Sequence, residues 1–183
     1  MTLASTRPAA TAERGFAPSL TASEFRALFR GHPGGVAVVT ADAGAGPVAL
    51  TATSVSSVSA DPPLLVFSVS AQSSAAPTIT AARSVVVHLL DADDLDLAVR
   101  CATSGVDRFE HVAWTRLPGG EPVFTGARAW VHCVVIDRLD AGGSTVIAAH
   151  AVESGTNRDA PAGALVYHDR AWHRLGTDSV LRR

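Results

Sequence analysis

Residues 51–63 read Thr51-Ala52-Thr53-Ser54-Val55-Ser56-Ser57-Val58-Ser59-Ala60-Asp61-Pro62-Pro63, and six of the first nine side chains carry a hydroxyl. In a half-buried strand the polar residues would share one parity, because successive side chains point to opposite faces. Here the hydroxyls occupy both parities. Apolar runs at 36–39 and 64–67 flank the stretch and place it within the fold, where polar groups need hydrogen-bond partners. The pattern indicates a site for a ligand rich in carbonyl, imide and phosphate oxygens; the alternative is a solvated serine-rich loop.

The composition is typical of a single globular domain with an apolar surface. A chain of 183 residues, 47% of them hydrophobic, can bury a sizeable core. Charged residues make up only 17%, and this low share favours an oligomer, because large exposed apolar patches are rare on monomers. The net charge of −2 argues against a nucleic-acid or anionic-membrane partner, since both require a basic face.

The chain contains no lysine, so any cationic contact to a phosphate must come from arginine. Cys101 and Cys133 show neither a CxxC nor a zinc spacing, and Cys133 lies in an apolar strand pattern typical of a buried free thiol. We therefore expect a reducing compartment and a cytoplasmic protein. No apolar run reaches transmembrane length, and residues 1–19 lack the apolar centre of a signal peptide.

Turn residues and apolar periodicity predict many short strands and few helices. Residues 1–19 are predicted to be a flexible tail, followed by one domain at 20–183. Thr21 and Glu24 predict a capping box before a short helix with Phe25, Leu28 and Phe29 on one face. Further helices are predicted at about 77–82 and 93–103, and residues 106–128 are predicted to be irregular. Strands are predicted at 36–40, 47–53, 64–70, 84–90, 130–139, 145–153, 164–168 and 172–175. This pattern predicts a mainly β barrel rather than a parallel α/β sheet.

Six segments, in order along the chain, resemble the flavin reductase-like family. They are Gly34-Gly35-Val36-Ala37-Val38-Val39-Thr40, residues 51–64, Val85-Val86-Val87-His88-Leu89-Leu90, Asp107-Arg108-Phe109, Trp130-Val131-His132-Cys133, and residues 161–172 with Tyr167-His168 and Trp172. The resemblance extends from about Phe25 to Leu175, and it implies an FMN-binding split β-barrel with a few short helices.

The resemblance also implies how FMN or FAD would bind. In the family the loop at 51–54 holds the edge of the isoalloxazine ring, so Thr51, Ala52, Thr53 and Ser54 are the candidates. Ser57, Val58 and Ser59 are expected against the ribityl chain or the phosphate. A second hydroxyl cluster lies where the family approaches the phosphate, and it comprises Ser68, Ser70, Gln72, Ser73, Ser74 and Thr78. A helix start after Ser74 would add amide donors, whereas the alternative is an ordinary helix N-cap.

Other residues have both a binding and a structural interpretation. Arg83 and Arg108 are candidate phosphate ligands or surface charges, and Phe109 packs near the ring or in the core. Tyr167 and His168 fall on the closing hairpin, which lies near the flavin in the family; a buried aromatic residue has the same sequence pattern. The seven histidines show no metal-binding spacing, and we predict no metal site.

One turn departs from the family. Where the family has Gly-Asp-His before a strand, this chain has Gly142-Gly143-Ser144. Ser144 therefore stands in place of an imidazole that helps to position the nicotinamide or the flavin in the family. This departure bears on NAD(P)H oxidation rather than on flavin binding. No catalytic acid or base is predicted, because the flavin itself performs the hydride chemistry.

The resemblance predicts a homodimeric NAD(P)H:flavin oxidoreductase. NADH or NADPH would reduce FMN or FAD, and the reduced flavin would diffuse to a partner flavin-dependent monooxygenase. Two alternatives remain open. One is an oxidase of a small amine or phosphate ester built on the same barrel, and the other is a flavin-binding protein without nicotinamide turnover.

Overall fold

Strands dominate the chain, as expected. The computed structural model describes residues 19–159 and 162–181, so the predicted tail, except for Ser19, lies outside the described residues. The helices are α1 (Ala22–Arg30), α2 (Ala76–Ala81) and α3 (Leu95–Ala102), with 3-10 turns at Ala92–Asp94 and Thr177–Ser179. The strands are β1 (Gly34–Gly35), β2 (Ala37–Asp42), β3 (Pro47–Ala52), β4 (Ser56–Ala60), β5 (Pro63–Ser70), β6 (Ser84–Leu89), β7 (Trp114–Arg116), β8 (Pro122–Phe124), β9 (Ala129–Asp140), β10 (Ser144–Thr156), β11 (Ala164–His168) and β12 (Ala171–Leu175).

Seven of these strands form one antiparallel sheet in the order β3-β2-β6-β9-β10-β5-β4. The sheet curls on itself, because Leu50 and Ala52 of β3 share one buried core with Phe67 and Val69 of β5. Ser54 bridges the gap between these two distant strands: its Oγ accepts a hydrogen bond from the backbone N–H of Ser68 at 3.0 Å. The result is a barrel that is open between β3 and β5.

A second core covers the outside of the barrel wall. Strand β2 is buried on both faces, with Ala37 and Val39 in the inner core and Val38 in the outer one. The outer core is closed by α3, the β7–β8 hairpin and β11, which contribute Ala98, Phe124 and others. A smaller sheet, β1-β11-β12, carries the closing hairpin.

Local sequence explains the first elements. The Thr21–Glu24 capping box is confirmed: Thr21 Oγ1 accepts from the Glu24 N–H at 3.3 Å, and Glu24 Oε2 accepts from the Thr21 N–H at 2.8 Å. The apolar face of α1 is nevertheless not buried, since Phe25, Leu28 and Phe29 are all more than half exposed. Helix α1 therefore lies on the surface with its apolar residues open to solvent.

The structure corrects two predicted elements. Residues 106–128 are not wholly irregular, because β7 and β8 pair around the turn at 118–120. Helix α2 begins at Ala76, one residue before the predicted start. The predicted long hairpin is confirmed and is longer than expected, spanning Ala129–Asp140 and Ser144–Thr156. None of the described helices is long and apolar enough to cross a membrane.

Both cysteines are buried free thiols, which confirms the expectation for Cys133. Burial raises the pKa of each thiol to about 12, although Arg108 and Arg100 oppose that effect at Cys101. A thiol with so high a pKa stays protonated at neutral pH and is a poor nucleophile.

Candidate functional site

Two cavities lie on either side of the end of β3. The first, which we name the hydroxyl cavity, has a volume of about 440 Å³ and is lined by Thr51, Ser70, Gln72, Ser73, Ser74, Ser104, Gly105 and Arg108, with Leu50, Cys101 and Ala102. The second, which we name the α1 cavity, has a volume of about 590 Å³ and is lined by Phe25, Arg26, Phe29, Arg30, His32, Gly34, Thr53, Ser54, Tyr167, His168, Asp169 and Arg170. Thr51 lines the hydroxyl cavity and Thr53 lines the α1 cavity. Residues that are two positions apart in an extended chain are separated by roughly 7 Å. The two cavities therefore adjoin.

Arg108 gives the hydroxyl cavity its charge. Its Nη1 donates to the carbonyl oxygen of Ala49 at 2.7 Å, and its Nη2 donates to that of Thr103 at 3.1 Å. Nη1 also lies 3.5 Å from Ser74 Oγ. Within residues 19–159 and 162–181 no carboxylate pairs with this guanidinium, and its buried Nε has no hydrogen-bond partner. A fixed positive charge without a carboxylate partner suits an anionic ligand.

The hydroxyls of the Ser70–Ser74 turn are free to donate into the hydroxyl cavity. Ser70 Oγ accepts from the N–H of Gln72 and Ser73 Oγ accepts from that of Ala75, each at 3.3 Å, so both oxygens fold the turn. Their hydrogens have no acceptor among the described residues. The N-cap of α2 is Ala75, without a side-chain cap, so the ordinary N-cap interpretation is wrong. Helix α2 has six residues and is too short to supply a strong dipole.

The four residues predicted for the ring edge have different environments. Thr51 donates its hydroxyl to the carbonyl oxygen of Ala98 at 2.6 Å, which ties α3 to β3. Ala52 is 6% exposed and belongs to the inner core, so only its backbone can face a ligand. Thr53 and Ser54 are exposed and face the α1 cavity. Thr53 also touches Gly34, where an added Cβ would lie 2.9 Å from Thr53 Cβ.

Several predicted residues line neither cavity. Ser57, Val58 and Ser59 lie on the edge strand β4, and Val58 is 59% exposed. Ser68 contributes its backbone to the contact with Ser54. Thr78 lies on α2 and faces a separate depression beside Trp114. Their roles as ligand contacts stay predictions.

Phe109 and Arg83 line neither of the two cavities, and a ligand contact by Phe109 stays a prediction. Phe109 is 9% exposed and packs in the outer core, stacked on Phe124 at 4.8 Å and edge-on to Trp114 at 5.1 Å between ring centroids. Its ring is thus occupied by other aromatic side chains. Arg83 is exposed and lines neither cavity, as expected of a surface charge.

The closing hairpin reaches the α1 cavity as the resemblance implies. Tyr167 and His168 of β11 line it, and Tyr167 packs edge-on to Trp172 at 4.8 Å. The pairing of β1 with β11 sets this geometry, because Gly34 is opposite Tyr167 in the register.

Ser144 lies at the other end of the site. In the β10–β5 register it is opposite Ser70, and the carbonyl oxygen of Gly143 accepts from the N–H of Ala71 at 3.0 Å. The turn therefore contacts the segment at 70–71, which borders the hydroxyl cavity. Ser144 itself lines neither cavity. Its predicted contact with a nicotinamide stays untested.

Sequence reasoning missed two groups of lining residues. The α1 face contributes Arg26 and Arg30, and the segment after α3 contributes Ser104 and Gly105. The spacing of Arg26 and Arg30 by four residues was a readable signal, since it places both on one helix face. Among the described residues, no group of three or more His, Cys, Asp or Glu could hold a metal ion.

Comparisons with known proteins identify the family of the chain. Residues 29–176 match the family described as Flavin reductase like domain. The chain is 40% identical over 161 residues to an NADH:FMN oxidoreductase of Rhodococcus erythropolis, a match that covers 85% of this chain and 82% of the relative.

Solved structures share the fold. A flavin reductase domain protein from Arthrobacter sp. FB24 superposes with a TM-score of 0.79 at 32% identity, covering 84% of this chain and 95% of that one. BorF, the flavin reductase component of a bacterial two-component tryptophan halogenase, gives 0.74 at 30% identity, covering 85% and 98%. The expected mainly β flavin reductase fold is thereby confirmed.

Proposed function

The chain belongs to the flavin reductase-like domain family, and from this membership we propose that it is an NADH-dependent flavin reductase that supplies reduced FMN or FAD to a partner monooxygenase. The observation that carries the proposal is the adjacency of the two cavities along β3. One end of the resulting trough holds Arg108 among hydroxyls, and the other end is open and partly aromatic. A flavin mononucleotide has the same polarity, with a phosphate at one end and a flat ring at the other.

The donors fit the flavin. Arg108 has no carboxylate partner among the described residues, and Ser73 and Ser74 line the same cavity. These groups would hold the phosphate. The backbone of residues 51–54, with Thr53 and Ser54, would hold the carbonyls and imide of the ring. Gly34 leaves room for Thr53, because a Cβ there would collide with it.

Flavin, when bound, supplies the acceptor for the hydride of the nicotinamide. The residues of this chain bind and orient the flavin, and they exclude water from it. Tyr167 and His168 form one wall at the ring end, and Thr53 and Ser54 form another. No side chain needs to act as an essential general acid or base, so replacing His32 or His168 with Ala should lower turnover gradually rather than abolish it.

We propose a homodimer as the working unit. The β9–β10 hairpin exposes Val134, Ile136 and Val152. Patches of this kind favour association. Sedimentation should give a dimer at micromolar concentration, and a flavin-loaded monomer would contradict this part of the proposal. The two free thiols support a cytoplasmic location.

The activity test mixes the pure protein with NADH and FMN, and then with FAD. Rapid flavin-dependent loss of NADH, with transfer of electrons to cytochrome c, is expected. Arg108→Gln should raise the Michaelis constant for FMN at least about tenfold, because a charged hydrogen bond to phosphate is lost. Flavin binding without NADH loss would instead identify a flavin-binding protein, the alternative that the altered turn at Gly143 and Ser144 favours.

A further inference from the structure

The α1 cavity concentrates positive charge. Arg26 and Arg30 of α1 and Arg170 of the β11–β12 turn all line it, against one acidic side chain, Asp169. The whole chain has a net charge of −2, so the positive charge of this cavity contrasts with the negative charge of the chain as a whole. Charges of one sign gathered in a concave site raise the local concentration of ions of the opposite sign.

Within residues 19–159 and 162–181, these three guanidinium groups have no side-chain partner. In the described part of the chain, none of them forms a side-chain hydrogen bond or an ion pair. By contrast, Arg158 contacts Asp91 at 2.8 Å and Asp94 at 2.7 Å, and Arg116 contacts Asp42 at 2.8 Å. Arg26 and Arg30 are four residues apart on one helix, a spacing at which like charges repel. An anionic ligand would relieve that repulsion.

The fold holds the three arginines together. The N–H of Asp169 donates to the carbonyl oxygen of Arg30 at 3.1 Å, which fastens the β11–β12 turn to the end of α1. Asp169 and Arg170 both adopt left-handed backbone conformations, with φ of 47° and 65°. This tight turn brings Arg170 beside the helix end, so residues distant in sequence converge on one cavity.

Two exposed aromatic rings adjoin the charges. Phe25 and Phe29 pack together with ring centroids 4.6 Å apart, yet they are 52% and 56% exposed. Both rings line the α1 cavity. Exposed aromatic rings are the usual platforms for stacking a nucleobase. Arginines beside such a platform match a nucleotide with phosphates next to its base.

We propose that the α1 cavity, beside the flavin ring that Thr53 and Ser54 would hold, also binds the diphosphate and the adenine of the reduced nicotinamide dinucleotide, an inference that rests on the proposed reductase function. Arg26, Arg30 and Arg170 contact the diphosphate, and the Phe25–Phe29 pair stacks on the adenine. The phosphate end of the flavin lies in the hydroxyl cavity with Arg108, and the second half of FAD would extend from that end. The α1 cavity adjoins Thr53 at the ring end, where the hydride donor must approach.

The test uses Arg26→Gln, Arg170→Gln and the double variant, with Arg174→Gln as the matched control. Arg174 lies on the same hairpin, is exposed and lines neither cavity. With FMN as acceptor, the double variant should raise the Michaelis constant for NADH at least about tenfold, since charge-assisted contacts to phosphate are lost. The maximal rate should change less than about twofold, the pattern of lost uniform binding. The control should match the unaltered protein.

A phosphate-free donor separates the subsite from general damage. The kinetics of 1-benzyl-1,4-dihydronicotinamide, which has neither diphosphate nor adenine, should be the same in the unaltered protein and in all four variants. Phe25→Ala should raise the Michaelis constant for NADH and leave that for reduced nicotinamide mononucleotide unchanged. Salt should weaken NADH binding more in the unaltered protein than in the double variant.

Three outcomes would overturn the assignment. The first is an unchanged Michaelis constant for NADH in the double variant. The second is an equal loss with the phosphate-free donor. The third is weaker FAD binding with FMN and NADH unaffected, which would assign the arginines to the flavin adenylate. If the reductase function itself is wrong, the unaltered protein will turn over neither donor, a result distinct from all three.

Discussion

His88 Nε2 accepts a hydrogen bond from the backbone N–H of Phe124 at 3.0 Å, inside the outer core. The other ring nitrogen, Nδ1, lies 3.1 Å from the carbonyl oxygen of Val38. Because Nε2 is an acceptor, Nδ1 carries the hydrogen and donates it to Val38. The imidazole therefore joins β6 to β2 and β8 in its neutral form, and protonation would destroy the contact with Phe124.

The first prediction is a loss of stability on mild acidification. Burial lowers the pKa of His88 to about 4, although the hydrogen bond to Val38 opposes the shift. In the unfolded chain the pKa is about 6.5, so below that pH the unfolded state binds a proton that the folded state excludes. Stability from this group is complete above about pH 6.5 and decreases as pH falls towards 4, by at most about 1.4 kcal/mol per pH unit.

Urea unfolding of the unaltered protein and of His88→Gln, at about pH 7 and about pH 5, isolates this effect. Glutamine supplies a donor and an acceptor but does not titrate. The decrease in stability between the two pH values should be smaller in the variant. Equal decreases in both proteins would assign the acid sensitivity to other groups.

The second prediction concerns Gly34. A Cβ at this position would lie 2.9 Å from Thr53 Cβ and 3.0 Å from the Thr53 carbonyl oxygen, so Gly34→Ala must displace Thr53. We expect weaker flavin binding, measured by calorimetric titration, with the fold retained. Gly35→Ala is the matched control, because a Cβ there meets nothing within 4 Å. Equal flavin affinity in the two variants would argue that Thr53 is not a contact.

The third prediction tests the ring edge. Thr53→Val or Ser54→Val should weaken flavin binding by about 1 kcal/mol. The first change removes a donor from the ligand-facing wall, and the second removes a hydroxyl that also donates to the Ser68 carbonyl oxygen at 3.3 Å. Ser54→Val also removes the acceptor for the Ser68 N–H. Ser56→Val provides the comparison, since the Ser56 hydroxyl bonds only to the adjacent Ser57 carbonyl at 3.4 Å among the described residues. Unchanged dissociation constants for both edge variants would place the flavin elsewhere.

The fourth prediction is that both cysteines resist alkylation in the native protein. Burial raises the pKa of Cys101 and Cys133 to about 12, so very little thiolate is present at neutral pH. Mass spectrometry after iodoacetamide treatment should find neither modified, whereas the denatured chain should acquire two adducts. Rapid native labelling at Cys101 would show that α3 opens next to the hydroxyl cavity.

Local sequence signals predicted most of the fold. The Thr21–Glu24 box and the turn residues at 42–46 and 169–170 specify their elements through nearest-neighbour chemistry, which does not depend on the rest of the chain. The β7–β8 pair was missed because its strands have three residues each, too few to show a period.

The site was harder to predict, because it depends on contacts between distant segments. The register of Gly34 with Tyr167 brings α1 to the closing hairpin, and no local pattern encodes that pairing. Phe109 shows the same limit. From the sequence, Phe109 could contact a ligand or pack in the core, and its contacts with Phe124 and Trp114 are visible only in the folded chain.

The contact between Tyr167 and Trp172 gives the molecule an internal optical reporter. Tyr167 lines the α1 cavity and packs on Trp172, whereas the other two tryptophans, Trp114 and Trp130, line neither cavity. A chromophore that enters beside Tyr167 will quench the emission of Trp172 by energy transfer, with an efficiency that decreases steeply with distance. The intrinsic fluorescence of the unlabelled chain will therefore report the binding and release of a flavin in real time. Trp172→Phe should remove most of that fluorescence change.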